Sequence, residues 1–252
     1  MSKKSQNQDV FDRNGFLKVA EFFTLAEVNQ VRAELDRFIE KDVPNLPSEH
    51  VFYEDVLDPT TLKQIQQLQT HDPHFRALMV DSKTQSLAEE IMKGPVVPKN
   101  LQYFNKAPLV AKPTPAHQDG YYFKLEPCKA VTLWLALDEV DEENGCVHYV
   151  RASHLAGLRP HGATNTLGFS QGLSSSNEFP GSADDVACPA HPGDLLAHHA
   201  LTIHWAGSNQ SPTRTRRALG FIYYAQSAYE DTDAHEAYQR KLAVELKQAG
   251  RL

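Results

Sequence analysis

From Pro95 onward the chain breaks into short segments rich in β-branched and aromatic residues: "LQYFNK", "GYYFKL", "AVTLWLAL", "CVHYV", "GDLLAHHALTIHWAG" and "RRALGFIYYAQ". Turn signals separate them, Asn144-Gly145 among them, and no long helical pattern intervenes. Many short strands in succession predict a jelly roll or barrel. An all-β architecture of 252 residues need not be split in two, and a hydrophobic content of 41% supplies its core.

Before Pro95 the period changes. In "TLAEVNQVRAELDRFIE", Thr24 and Glu27 have capping-box spacing, and Leu25, Val28, Val31, Leu35, Phe38 and Ile39 form a helical stripe. Ser82 and Gln85 open a second helix in "KTQSLAEEIMK", and "PTTLKQIQQLQ" and "FRALMV" are shorter helix candidates. The expected architecture is mainly β with flanking α-helices, in one domain over 1–252. It comprises a mostly helical region 1–94, a jelly-roll core 95–228 and a C-terminal helix 229–252. Residues 156–187, rich in Gly, Ser and Asn, read as a long loop and a lid over a site.

A net charge of −7 argues against a nucleic-acid groove or an anionic membrane surface. No apolar run is long enough for a membrane helix, and "MSKKSQNQD" lacks the apolar segment of a secretory signal. Cys128, Cys146 and Cys188 are odd in number and far apart, and read as reduced thiols of a cytoplasmic protein. The expected partner is a small-molecule substrate; oligomeric state has no signature in the sequence.

Three segments suggest chemistry. "TPAHQDGYYF" holds an H-x-D, and if it is extended His117 and Asp119 lie on one face while Gln118 points away. With 12 histidines, about one such triplet arises by chance, so it needs support elsewhere. "GDLLAHHALTIHWAGSN" carries His198, His199 and His204, any one of which can complete a ligand set; His198 and His204 share a face if the strand is unbroken. In "RTRRALGFIYY", alternation groups Arg214, Arg216, Ala218, Gly220 and Ile222. The small residues there leave room for a bound molecule, and an inward arginine requires an anionic partner. Two imidazoles, one carboxylate and a nearby arginine suit a non-haem Fe(II) site with a chelating dicarboxylate keto acid.

These segments, with "VTLWLALDEVDEENGCVHYVRASH" and "FDRNGFLKVAEFFTLAEV", resemble the phytanoyl-CoA dioxygenase family of Fe(II)/2-oxoglutarate oxygenases over most of the chain. The resemblance implies a double-stranded β-helix of the cupin type, with Fe(II) as cofactor and 2-oxoglutarate and O2 as cosubstrates. By position it implies His117, Asp119 and His204 as iron ligands, His199 as a non-ligand, and Arg216 as the anchor of the far carboxylate. Gln102 and Trp134 match positions lining the cosubstrate pocket. Three departures stand out. The interval from His204 to Arg216 is one residue longer than usual, leaving Arg214 as the fallback anchor in place of Arg216; Ala206 replaces a frequent hydroxyl residue; and "RASH" replaces "PGSH", placing Arg151 by the entrance. The implied activity is hydroxylation of an aliphatic carbon of a small organic metabolite, releasing succinate and CO2. The alternatives are a cupin-type metal enzyme that does not use 2-oxoglutarate and a non-catalytic jelly-roll binding module. Tyr103, Tyr121, Tyr122 and Phe123 are candidates to line a substrate pocket, and nothing favours a CoA thioester.

Overall fold

The computed structural model describes residues 3–166, 169–174 and 178–233, with Ala237, Arg240 and Val244. In chain order its elements begin with α1 (Lys3–Asn14), β1 (Phe16–Val19), α2 (Leu25–Lys41), β2 (Val51–Tyr53), β3 (Leu62–Ile65), α3 (Leu68–His71), α4 (Pro73–Met79) and α5 (Lys83–Met92). They continue with β4 (Val96–Phe104), β5 (Thr114–His117), α6 (Gly120–Phe123), β6 (Leu125–Glu126), β7 (Ala130–Ala136) and β8 (Val147–Val150). The remainder are β9 (His161–Thr166), β10 (Phe169–Leu173), β11 (Asp185–Cys188), β12 (Leu195–His199), β13 (His204–Ala206), β14 (Ala218–Ala225) and β15 (Tyr229–Glu230).

Two antiparallel sheets make the expected jelly roll. The major sheet has the order β1-β12-β7-β14-β4-β3-β2, and the minor sheet β11-β8-β13-β5. Helices cover the outer face of the major sheet. Helix α2 starts where Thr24 and Glu27 close a reciprocal capping box, and buries Val28, Val31, Leu35 and Phe38. These meet Leu133, Leu219, Phe221 and Tyr223 of the sheet in one apolar cluster. Each such fully buried side chain contributes roughly 1.5–3 kcal/mol. At α5, Ser82 accepts from the Gln85 N–H as expected, but the Gln85 side chain accepts from the Asp81 N–H instead of closing the box on Ser82.

Several expectations change. The "PTTLKQIQQLQ" candidate is not a helix: Leu62–Ile65 is strand β3, buried at every position and paired with β2 and β4. Tertiary pairing overrides its local preference. With β1 and β2 it shows that the N-terminal region also supplies strands to the major sheet. "GYYFKL" is a helical turn, α6, followed by two strand residues. The chain turns there because the Gly120 N–H bonds to Ala200 O at 2.8 Å in a space too close for a side chain. A Cβ at Gly120 would sit 2.4 Å from Cys128 Sγ. "GDLLAHHALTIHWAG" is two strands rather than one: β12 lies in the major sheet and β13 in the minor sheet. The 156–187 segment holds strands β9, β10 and β11, so it is no structureless loop. Most of the expected C-terminal helix falls outside the described residues.

Candidate metal centre

The sheet change between β12 and β13 builds the site. Strand β13 pairs with β5 so that His204 faces His117, and their ring centroids are 4.1 Å apart. Each imidazole is oriented by its own backbone: His117 Nδ1 donates to Pro115 O (2.8 Å) and His204 Nδ1 to Thr202 O (3.0 Å). That leaves both Nε2 lone pairs as ligand atoms. Asp119 reaches them differently from the expected extended strand. Strand β5 ends at His117, and Asp119 (φ −56°, ψ −34°) stands at the start of α6. Its Oδ1 lies 3.6 Å from His117 Nε2 and 3.7 Å from His204 Nε2.

The three residues are the group among the described residues able to hold a metal, with all ligand atoms within 4.8 Å of one another. Their electrostatics suit it. Burial would raise the Asp119 pKa, but the surrounding His204, His117 and His198 hold the carboxylate well below its ordinary range. Burial, then His117 and His198, lowers His204 well below the usual imidazole value. A charged carboxylate beside a neutral imidazole is the protonation pattern metal ligation requires. On donor set and geometry the residues fit a two-histidine, one-carboxylate iron centre.

Other candidates sort around this point. His199 packs against Phe11 and His154, and its Nδ1 accepts from the Leu201 N–H (3.0 Å). His198 is buried and holds the second oxygen of Asp119: Nε2 lies 3.1 Å from Oδ2, which also accepts from Thr132 Oγ1 at 2.7 Å. Gln118 is fully buried, donating to Gly157 O and Leu201 O and accepting from the Arg159 N–H. It ties the ligand segment to the root of β9.

Arg216 is 5% exposed, and its Nε has no hydrogen-bond partner among the described residues. Burial lowers its pKa to about 10, so it stays charged at neutral pH. Its guanidinium lies 5.3 Å from the Trp134 ring, and Gln102 accepts from Gln64 Nε2 at 3.0 Å. Buried Lys106 pairs with Arg216 through both backbone N–H groups, and buried Lys63 pairs with Glu54 at 2.9 Å. Gln64 Oε1 and Asn105 Oδ1 also lack partners among the described residues. Burial lowers the pKa of both lysines, so Arg216 is the cation of this interior with no acidic partner among the described residues. Arg214, by contrast, is a half-exposed surface residue paired with Asp141 and Glu143. The room expected at Gly220 is taken: a Cβ there would meet the Phe104 ring at 2.7 Å.

Of the aromatic candidates, Tyr103 is buried on the helix side, away from the site, and Phe123 packs in a small cluster with Tyr224. Tyr121 stacks on His161, and Tyr122 meets the His117 ring edge-on. Ala206 is buried on β13 and Arg151 is exposed. Sequence reading missed Gln64, Lys63, Lys106 and Thr132. Thr132 left a signal, a polar residue of Trp134's parity in an otherwise apolar strand.

The sequence model of the phytanoyl-CoA dioxygenase family matches residues 11–218. Among curated relatives, the peroxisomal phytanoyl-CoA dioxygenase of Mus musculus is 24% identical over 260 residues, covering 96% of this chain and 74% of the relative. Among solved structures, the non-haem α-ketoglutarate-dependent carbocyclase SnoK of nogalamycin biosynthesis has a TM-score of 0.73 at 24% identity, covering 94% of this chain and 90% of its own. The epimerase SnoN, solved with Fe3+, α-ketoglutarate and nogalamycin RO, has a TM-score of 0.71 at 24% identity, covering 90% and 85%. These structural likenesses place the fold among double-stranded β-helix proteins. With a family match spanning most of its length, the chain belongs to the phytanoyl-CoA dioxygenase family of Fe(II)/2-oxoglutarate-dependent oxygenases.

Proposed function

We propose that His117, Asp119 and His204 hold Fe(II), that Arg216 anchors the far carboxylate of 2-oxoglutarate beside Trp134 and Gln102, and that the enzyme hydroxylates an aliphatic carbon of a small organic metabolite. The observation that carries this reading is the pairing of a converging His-Asp-His set with a buried arginine that has no acidic partner among the described residues. When bound together, Fe(II) and 2-oxoglutarate supply the oxidising chemistry, in which dioxygen is consumed and the keto acid yields succinate and CO2.

The chain's own residues bind, orient and exclude water. The backbone carbonyls of Pro115 and Thr202 fix the imidazole tautomers, and the Asp119 carboxylate balances part of the ion's charge. The Arg216 fork accepts a carboxylate in two parallel hydrogen bonds, which a lysine cannot. Ala218, Trp134 and Tyr149 wall the interior with apolar surface. Tyr121 and Tyr122 are half-buried beside His161 and His117, which suits the substrate side.

Hydroxylation is our choice of outcome within the oxygenase class, since a bound Asp119 leaves no ligand position for a halide; relatives in fold include an epimerase and a carbocyclase. The three unpaired cysteines support a reducing compartment, which we read as the cytoplasm. Among the described residues no helix is long and apolar enough to cross a membrane. Anaerobic optical titration with Fe(II) and 2-oxoglutarate, followed by a metabolite screen for succinate formation coupled to substrate loss, tests the reading. A protein that binds neither, or forms succinate equally well after His117→Ala, sinks it.

A further inference from the structure

The carboxylate of Asp119 is used asymmetrically, and the asymmetry is built from outside the ligand set. Oδ1 faces the two Nε2 atoms at 3.6 and 3.7 Å, whereas Oδ2 receives Thr132 Oγ1 at 2.7 Å and His198 Nε2 at 3.1 Å. Thr132 on β7 and His198 on β12 are direct cross-strand partners, so the major sheet delivers both donors to one oxygen. A carboxylate only accepts, so His198 Nε2 donates to Oδ2, and the ring's Nδ1 is hydrogen-bonded to the Tyr149 hydroxyl at 3.0 Å. Tyr149 comes from β8 of the opposite sheet, is fully buried, and is stacked on Phe16 at 4.7 Å. The chain Tyr149 to His198 to Asp119 therefore crosses from the minor sheet to β12 of the major sheet and returns to the turn that follows β5.

We propose that His198, oriented by Tyr149, is the positioning residue that keeps Asp119 a single-oxygen ligand, by occupying Oδ2 together with Thr132. With Oδ2 filled, only Oδ1 is offered to the ion, and the coordination positions that a chelating keto acid and dioxygen need stay open. The inference rests on the iron-site reading and deepens it.

The test compares His198→Phe, which keeps the ring volume but loses the donor, with His198→Gln, whose side-chain amide restores a donor near the Nε2 position. Each folded apo-protein is titrated anaerobically with Co(II) and followed by its visible absorption. Loss of an outer hydrogen-bond partner of a metal ligand weakens metal binding by about 10- to 100-fold. The expected order is wild type, then His198→Gln close behind, then His198→Phe weaker by about 10-fold or more. A space-filling role predicts the reverse order of the two variants. Wild-type affinity in His198→Phe, or equal weakness in both variants, overturns the proposal. Tyr149→Phe, which leaves every ring in place, gives a second reading should His198→Phe not fold: a smaller loss supports the relay, and no loss refutes it. A wild-type protein that does not bind Co(II), or binds it equally after Asp119→Ala, refutes the iron-site reading itself, so the two failures are distinguishable.

Discussion

The two faces of the major sheet come from alternate residues of the same strands yet have opposite characters. On β14, Leu219, Phe221 and Tyr223 enter the helix-covered cluster, where Val28, Leu35 and Phe38 complete a dense apolar layer. One residue away in parity, Arg216 lies inside, and neither its Nε nor the Oε1 of buried Gln64 has a partner among the described residues. The first face is apolar throughout; the second carries buried polar groups left without partners among the described residues. Stability and function are thus segregated by strand parity, and substitutions on the two faces should separate folding from chemistry.

The largest effect is expected at the ligands. Asp119→Ala abolishes succinate formation while the thermal transition of the apo-protein stays within a few degrees, checked by product assay and calorimetry. Next, Arg216→Met removes an uncompensated buried charge. Affinity for 2-oxoglutarate should fall on the order of 100-fold, as when one partner of a buried ion pair is cut away. The same variant should be as stable as wild type or more so, since an apolar replacement of a buried charge is often stabilising by ~1–4 kcal/mol. A lowered apo-protein Tm would break the comparison.

On the other face, Phe221→Ala should cost about 3–5 kcal/mol in denaturant unfolding. Activity per folded molecule should be unchanged; a selective loss of 2-oxoglutarate affinity would show that the faces are coupled.

A smaller effect is expected at His199, whose pKa burial lowers to about 4. Between the unfolded value of about 6.5 and that folded value, the unfolded chain binds more protons, so stability drops as pH falls through this window. The contribution is about 3 kcal/mol at most, and His199→Gln should flatten the fall of apo-protein Tm between pH 6.5 and 4. Smallest is Arg214→Gln, a surface change that should leave both the apo-protein Tm and 2-oxoglutarate binding at wild-type values.

The same parity explains what the sequence disclosed. The apolar stripe of α2 and the alternation in "RTRRALGFIYY" carry their partners in their own periodicity, so the helix, strand β14 and the contrast between Arg216 and Arg217 were readable locally. Arg217 indeed turns outward to Asp138 and Asp36. The bend at Asp119 was not readable, because it depends on Gly120 meeting Ala200 across the chain. Nor was the break between His199 and His204, which appears only when the two strands join different sheets. The condition under which His198 and His204 share a strand face is thus not met, although the folded chain still puts their rings 4.3 Å apart. Strand β3 escaped because its residues suit a helix, and its pairing with β4 alone decides otherwise.

Strand β13 is only three residues long, and it is hydrogen-bonded to β5 on one side and β8 on the other. It cannot gain either ladder until chain segments far apart in sequence have been brought together, and such closures are slow steps in folding. The same holds for the other two ligands, since β5 pairs with β13 and the Asp119 turn rests on the Gly120–Ala200 contact. The ligand set is therefore assembled by long-range pairing, and metal binding at full strength reports a completed minor sheet.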